Sequence, residues 1–137
     1  MALSINSALK NSIVNSIITA LAGTTGTAGT AQLRIYSGNQ PANADAGTSG
    51  TLLCTIPNVG WNPCTAGTST LTAVAYGTAA VTGTAGWARF ERIGTAGTFR
   101  LDGQIGVDST NVFSINSAVF STAGAPVALL TAPLYTI

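Results

Sequence analysis

The 137 residues fit one domain and leave little room for a second. Only 7% are charged against 46% hydrophobic, with a formal net charge of +1, whereas a soluble domain ordinarily carries about 25% charged residues. Five Lys and Arg in all exclude a basic footprint for nucleic-acid phosphates or an anionic membrane surface, and the absence of histidine removes imidazole bases and the commonest metal ligand.

Residues 3–21 predict the one helix. Leu3, Ile5, Leu9, Ile13, Ile17 and Leu21 recur about every fourth residue, and Ala8, Val14 and Ile18 widen the stripe. Ser4, Asn6, Lys10, Asn11 and Asn15 fall mainly outside it. Ala22-Gly23 supplies the stop, since glycine accepts the left-handed conformation that closes many helices. Ser and Asn break up the apolar residues, so the segment does not read as a signal peptide. No run approaches the ~20 apolar residues of a membrane span, and synthesis in the cytoplasm is expected.

Beyond Gly23 the texture changes. Short β-branched or aromatic runs alternate with clusters of Gly, Thr, Ala, Asn and Pro, which predicts strands over 31–36, 51–56, 70–75, 79–81, 87–93, 98–105, 112–120 and 127–134. The tripeptide Thr-Ala-Gly starts at 27, 65, 84, 95 and 122, irregularly enough to be turn chemistry and not a solenoid repeat. The expected fold is mainly β: a single domain over 1–137, with an amphipathic helix in 1–22 and a β-sandwich of about eight mostly antiparallel strands over 31–137.

Cys54 and Cys64 flank a turn-rich stretch, Thr55 to Pro63, that brings them near each other in the chain. A disulfide after release from the cell and a pair of buried thiols are both open readings. Two cysteines without histidine do not make a zinc site.

One hairpin can be read in detail. Gly94-Thr-Ala-Gly97 joins two alternating runs, and placing Ile93 opposite Thr98 sets Phe90 against Leu101 on one face. On the other face Glu91 meets Arg100 and Arg89 meets Asp102. A one-residue slip loses both charge pairs and the apolar match, so the pairs select the register; as exposed pairs they are worth only a few tenths of a kcal/mol each. The last third, Val112 to Ile137, is almost continuously apolar, which predicts strands covered on both faces, one of them by the helix or by a neighbouring subunit.

Catalytic patterns are missing. No serine sits in a Gly-x-Ser-x-Gly elbow. Of four carboxylates, Glu91 and Asp102 belong to the hairpin pairs, which leaves Asp45 and Asp108 in separate loops, an unpromising pair for acid–base work. Asp102 to Asp108 lacks the oxygen spacing and closing Glu of a calcium loop, and neither phosphate-loop pattern occurs. Trp61, Trp87, Tyr36, Tyr76 and Tyr135 have no interleaved basic residues and read as packing groups, not as a stacking platform for single strands. No enzymatic activity, cofactor, metal or small-molecule substrate is expected.

The run from Leu33 to Leu53, beginning Leu-Arg-Ile-Tyr-Ser-Gly-Asn-Gln-Pro, together with Thr84-Ala-Gly-Trp-Ala-Arg-Phe90 and Leu101-Asp-Gly-Gln-Ile-Gly106, resembles a family of small virion proteins encoded by tailed phages and prophages. The resemblance covers nearly the whole chain and departs from the family pattern at Cys54 and Cys64, where small residues are usual. It implies a structural component of the virion. The expected role is a capsid decoration or cement subunit that binds its own copies and the major capsid protein. A neck, collar or tail ring subunit is the alternative, followed by a receptor- or glycan-binding virion module with Trp61, Tyr76 and Asp45 in exposed loops. Candidate contact elements are the outward face of helix 3–21, the loop 37–50 and the apolar segment 127–137.

Overall fold

β-Branched and aromatic residues between Gly, Pro and Asn clusters favour short pleated segments. The computed structural model describes residues 4–23, 30–92, 99–107 and 112–135, and among them has one helix and eleven strands. The helix α1 is Ser7–Ala22. The strands are β1 Ala31–Tyr36, β2 Leu52–Val59, β3 Thr68–Ser69, β4 Ala75–Ala79, β5 Gly83–Thr84, β6 Trp87–Arg92, β7 Arg100–Gly106, β8 Phe113–Ile115, β9 Val119–Phe120, β10 Pro126–Thr131 and β11 Leu134–Tyr135.

The protein is mainly β, but its principal sheet is a closed barrel and not the expected sandwich. Seven strands follow the order β1-β2-β4-β10-β8-β7-β6, and β6 returns to β1. Closure depends on pairings between strands distant in sequence: β1 is held on both sides, by β2 and β6, while β4 bridges β2 to β10. A ladder that closes leaves no open edge and encloses its own inner face, so no second sheet is needed to bury it. Every pairing in the barrel is antiparallel except β7–β8, where only Ile105–Phe113 and Gly106–Ser114 match.

Several strands are shorter than expected. Residues 70–75 form no strand of their own; Leu71 makes an isolated bridge to Trp61. The run 112–120 splits at Asn116, whose side chain accepts from Ala128 N–H (2.9 Å) and donates to the Pro126 carbonyl (3.3 Å), occupying the place of a ladder neighbour. The run 127–134 breaks at Ala132-Pro133. β8 is buried at all three residues, as expected of a strand covered on both faces, but β10 alternates, with Val127 and Leu129 buried and Leu130 exposed, and is covered on one face only. The connection 93–98 lies outside the described residues, but the flanking strands pair Phe90 with Leu101, Glu91 with Arg100 and Arg89 with Asp102, the register read from the sequence.

The interior is filled by side chains, with Trp61, Phe90 and Phe113 in a row of edge-to-face contacts (centroids 4.9 and 5.0 Å apart). Trp61 Nε1 donates to the Ala132 carbonyl at 2.8 Å, which satisfies the buried indole. Cys54 and Cys64 are both buried free thiols, Cys54 in β2 opposite Ile35 and Cys64 beneath the helix.

α1 begins at Asn6, whose Oδ1 accepts from Leu9 N–H at 2.9 Å, and ends at Gly23, at φ 82°. It packs on β6, β3 and β11 and buries Val14, Ile18, Leu21 and Ala22. The expected stripe is therefore displaced around the helix, and Leu9 and Ile13 remain 49% and 40% exposed. The cause is polar. Asn15 Oδ1 accepts from Cys64 N–H (2.8 Å), and Asn11 Oδ1 accepts from Gly67 N–H (2.8 Å) and lies 3.4 Å from Cys64 Sγ. Residues 65–68 form a tight hairpin turn, with Ala66 and Gly67 at φ 51° and 80°, and this turn presents the Gly67 N–H to the helix. The two asparagines are the dock of the helix.

Removing one of these acceptors leaves a part-buried N–H unpaired, which costs about 1–3 kcal/mol. Asn11→Ala and Asn15→Ala are each expected to lower stability in urea denaturation by that amount, whereas Ile13→Ser stays within about 0.5 kcal/mol of wild type.

A buried charge network and two exposed apolar faces

β6 is covered on both sides. Ala88 and Phe90 point into the barrel, while Trp87, Arg89 and Glu91 point outward and are nevertheless buried. The outward residues of β1 and β7 flank them, so Arg34, Arg89 and Asp102 form one row across the strands and Glu91 and Arg100 lie together in the next. Opposite charges thus adjoin along and across the sheet, and the two like charges in contact register, Arg34 and Arg89, each have a carboxylate beside them.

Arg89 is the centre of this network. Its Nε and Nη2 meet the two Asp102 oxygens at 2.7 and 2.9 Å, a bidentate pair, and Nη2 also donates to the Ala46 carbonyl at 3.0 Å. The hydrogen bonding of the guanidinium to Asp102 holds it above its ordinary pKa despite burial. Its Cζ lies 5.4 Å from the Trp87 ring centroid. Trp87 in turn stacks on Tyr36 (4.7 Å) and donates to the Ser49 carbonyl (3.2 Å).

The cover is the loop 37–50. Its backbone carbonyls are the acceptors: Ala46 and Ser49 as above, and Ala44 for Arg100 Nη1 at 3.3 Å. The loop is shaped by its own polar side chains. Asn43 Oδ1 accepts from Asp45 and Ala46 N–H at 3.0 Å, and Ser49 Oγ donates to the Asn39 carbonyl at 2.6 Å. At its neck Gly50 has φ 79°, and a Cβ there or at Gly86 would collide with the carbonyl of Ser37 or Gly38. Arg89, Asp102 and Glu91, expected to be exposed, are thus buried under a loop whose acceptors are all backbone, and Arg100 is partly covered.

Glu91 is held more loosely. Arg34 Nη1 and Arg100 Nε stand 3.9 and 4.0 Å from its oxygens, beyond hydrogen-bond range. Glu91 Oε2 and Arg100 Nε have no hydrogen-bond partner.

Five of the nine charged residues belong to this network. Among the described residues only Lys10, Asp45 and Arg92 lie elsewhere, so most of the exterior is neutral. On it are two apolar faces. One is the outer side of α1 with Leu9 and Ile13, next to a cleft of about 430 Å³ lined by Ile17, Leu21, Phe99 and Leu101, with Asp45 and Arg100 also lining it. The other is the outer side of β4 and β10, where Tyr76 is 70% exposed and a cleft of about 530 Å³ runs between Leu71, Val74, Leu130 and Pro133. Trp61, expected in an exposed loop, is fully buried and belongs to the core. Of the other two residues grouped with it, Asp45 is exposed in the covering loop and Tyr76 lies on β4. Asp108 lies outside the described residues.

Among the described residues no three Cys, Asp or Glu side chains gather as a metal site, and no helix is long and apolar enough to cross a membrane. Comparison with family models, with curated proteins and with solved structures gave no match to this chain.

Asp102→Asn leaves the buried Arg89 charge unpaired, and chemical denaturation is expected to show a loss of about 3–5 kcal/mol. A second expectation concerns pH. Burial pushes the Cys54 thiol up to about 11 from its ordinary 9.0. The unfolded chain therefore releases this proton first, and stability falls as pH rises from about 9 to about 11, by up to about 3 kcal/mol. Cys54→Ala is expected to flatten that decline in denaturation midpoints measured across the same range.

Proposed function

We propose that this chain is a non-enzymatic structural subunit of a phage virion, and in particular a decoration or cement subunit that packs on the major capsid protein and on its own copies. One observation carries the reading: a neutral exterior with two separate apolar faces. A free monomer with so little surface charge is poorly protected against association, whereas a subunit in a shell shares such surfaces with neighbours. The motif resemblance in β1, β6 and β7 points the same way. The action is thermodynamic. Apolar surface covered on binding contributes about 25 cal/mol per Å², and whatever binds only the assembled shell raises its stability by mass action. The charge network suits this role, because it fixes the loop 37–50 while keeping Arg89, Asp102 and Glu91 off the exterior.

A ring subunit of the neck, collar or tail would use the same surfaces, and stoichiometry separates the two. Quantitative mass spectrometry of purified particles is expected to find hundreds of copies of the chain per particle. Six or twelve copies assign it to a ring, and its absence from particles ends the virion reading.

A further inference from the structure

The Arg89–Asp102 pair is complete, but its neighbours are not. Subtracting it from the network leaves two guanidiniums, Arg34 and Arg100, around the single carboxylate of Glu91, an excess of one positive charge. Neither guanidinium closes on Glu91: both separations, 3.9 and 4.0 Å, exceed hydrogen-bond length. The Glu91 side chain is 6% exposed, and its Oε2 has no partner. A buried, unpaired carboxylate oxygen is costly, so an acceptor in this position favours a ligand that brings a donor. All three side chains line one cleft of about 550 Å³, within the size range of small-molecule sites, beneath Gly47, Thr48 and Gly50 of the covering loop. Arg34 and Arg100 are about one-third exposed there (35% and 29%), so a ligand reaches them from solvent. Gly47 leaves open space on that side: nothing lies within 4 Å of where its Cβ would be.

We infer that this cleft binds a carboxylate with a nearby hydroxyl donor, on the α carbon in a small α-hydroxy acid or one carbon further in a uronic-acid sugar, whose α carbon bears the ring oxygen. The planar carboxylate takes the unused N–H groups of Arg34 and Arg100, which neutralises the excess charge. The hydroxyl donates to Glu91 Oε2. A simple carboxylate satisfies the first half only, and a neutral sugar the second half only. No bond is made or broken, and the inference does not depend on the virion reading.

The test is titration of the ¹⁵N-labelled protein with lactate and galacturonate, against propionate and galactose, following the Arg34 and Arg100 Nε–H resonances. Lactate is expected to shift both resonances and to bind about tenfold or more tightly than propionate, because the site's buried acceptor rejects a ligand without the donor. Galactose is expected not to bind. Galacturonate binding as well assigns the sugar acid; lactate binding alone assigns the small hydroxy acid, and both outcomes support the site. Arg34→Gln, at a side chain one-third exposed, is expected to keep the fold and weaken binding about tenfold or more. Glu91→Gln is expected to erase the preference for lactate over propionate. Equal binding of lactate and propionate, no binding of either acid, or undiminished binding by Arg34→Gln overturns the inference.

Discussion

Moving two charges out of water costs several kcal/mol per ion, and only close geometry with every remaining donor occupied offsets it. The Arg89–Asp102 pair approaches that condition through backbone: Nε and Nη2 close on the two Asp102 oxygens, and the Ala46 carbonyl accepts from Nη2 as well. This makes the loop 37–50 part of the electrostatics and not a bystander. Without the loop the guanidinium would be solvated and the pair would be an ordinary surface contact; with it, β6 is packed on both faces and the barrel wall on that side is two layers thick. The same contacts fix the loop, since Trp87, Arg89 and Arg100 each donate to a different carbonyl of it.

The network's consequence is felt outside it. A chain with nine charges has few to distribute, and five are gathered here. The rest of the barrel is covered by Thr, Ser, Ala, Gly and a handful of large apolar side chains, with Leu9 and Ile13 on one side and Tyr76 and Leu130 on another. Closure of the barrel guards against association through strand edges, but it does nothing for side-chain faces. That combination, protected backbone and unprotected apolar side chains, is the physical basis for proposing a subunit that meets neighbours through defined surfaces.

How much of this was legible in the sequence differs by element. The β6–β7 register could be read because alternation places two opposite-charge pairs and one apolar pair in a single alignment. The burial of those pairs could not, because the carbonyls that receive Arg89 and Arg100 carry no side-chain identity. The helix was legible as a helix, but its docked face was not: Asn11 and Asn15 read as solvent residues, yet their amides satisfy backbone N–H groups of a turn some fifty residues away. Sandwich and barrel differ in which distant strands pair, and β2–β4 closure rests on two residue pairs that no local pattern announces. The break at Asn116 was missed for the same reason as the helix dock, an amide side chain standing in for backbone. For the loose triad of Arg34, Glu91 and Arg100, the sequence signal was only the excess of arginine over acid near the hairpin.

The central claim is that the exposed apolar side chains are shared with neighbours in the assembled state. Hydroxyl-radical footprinting of the chain, free in solution and within purified particles, reads this directly at Tyr76, Phe99, Leu9, Ile13 and Leu130. The account predicts severalfold protection in particles of one whole face, either that of α1 or that of β4 and β10. Equal labelling of both faces in the two states would contradict it.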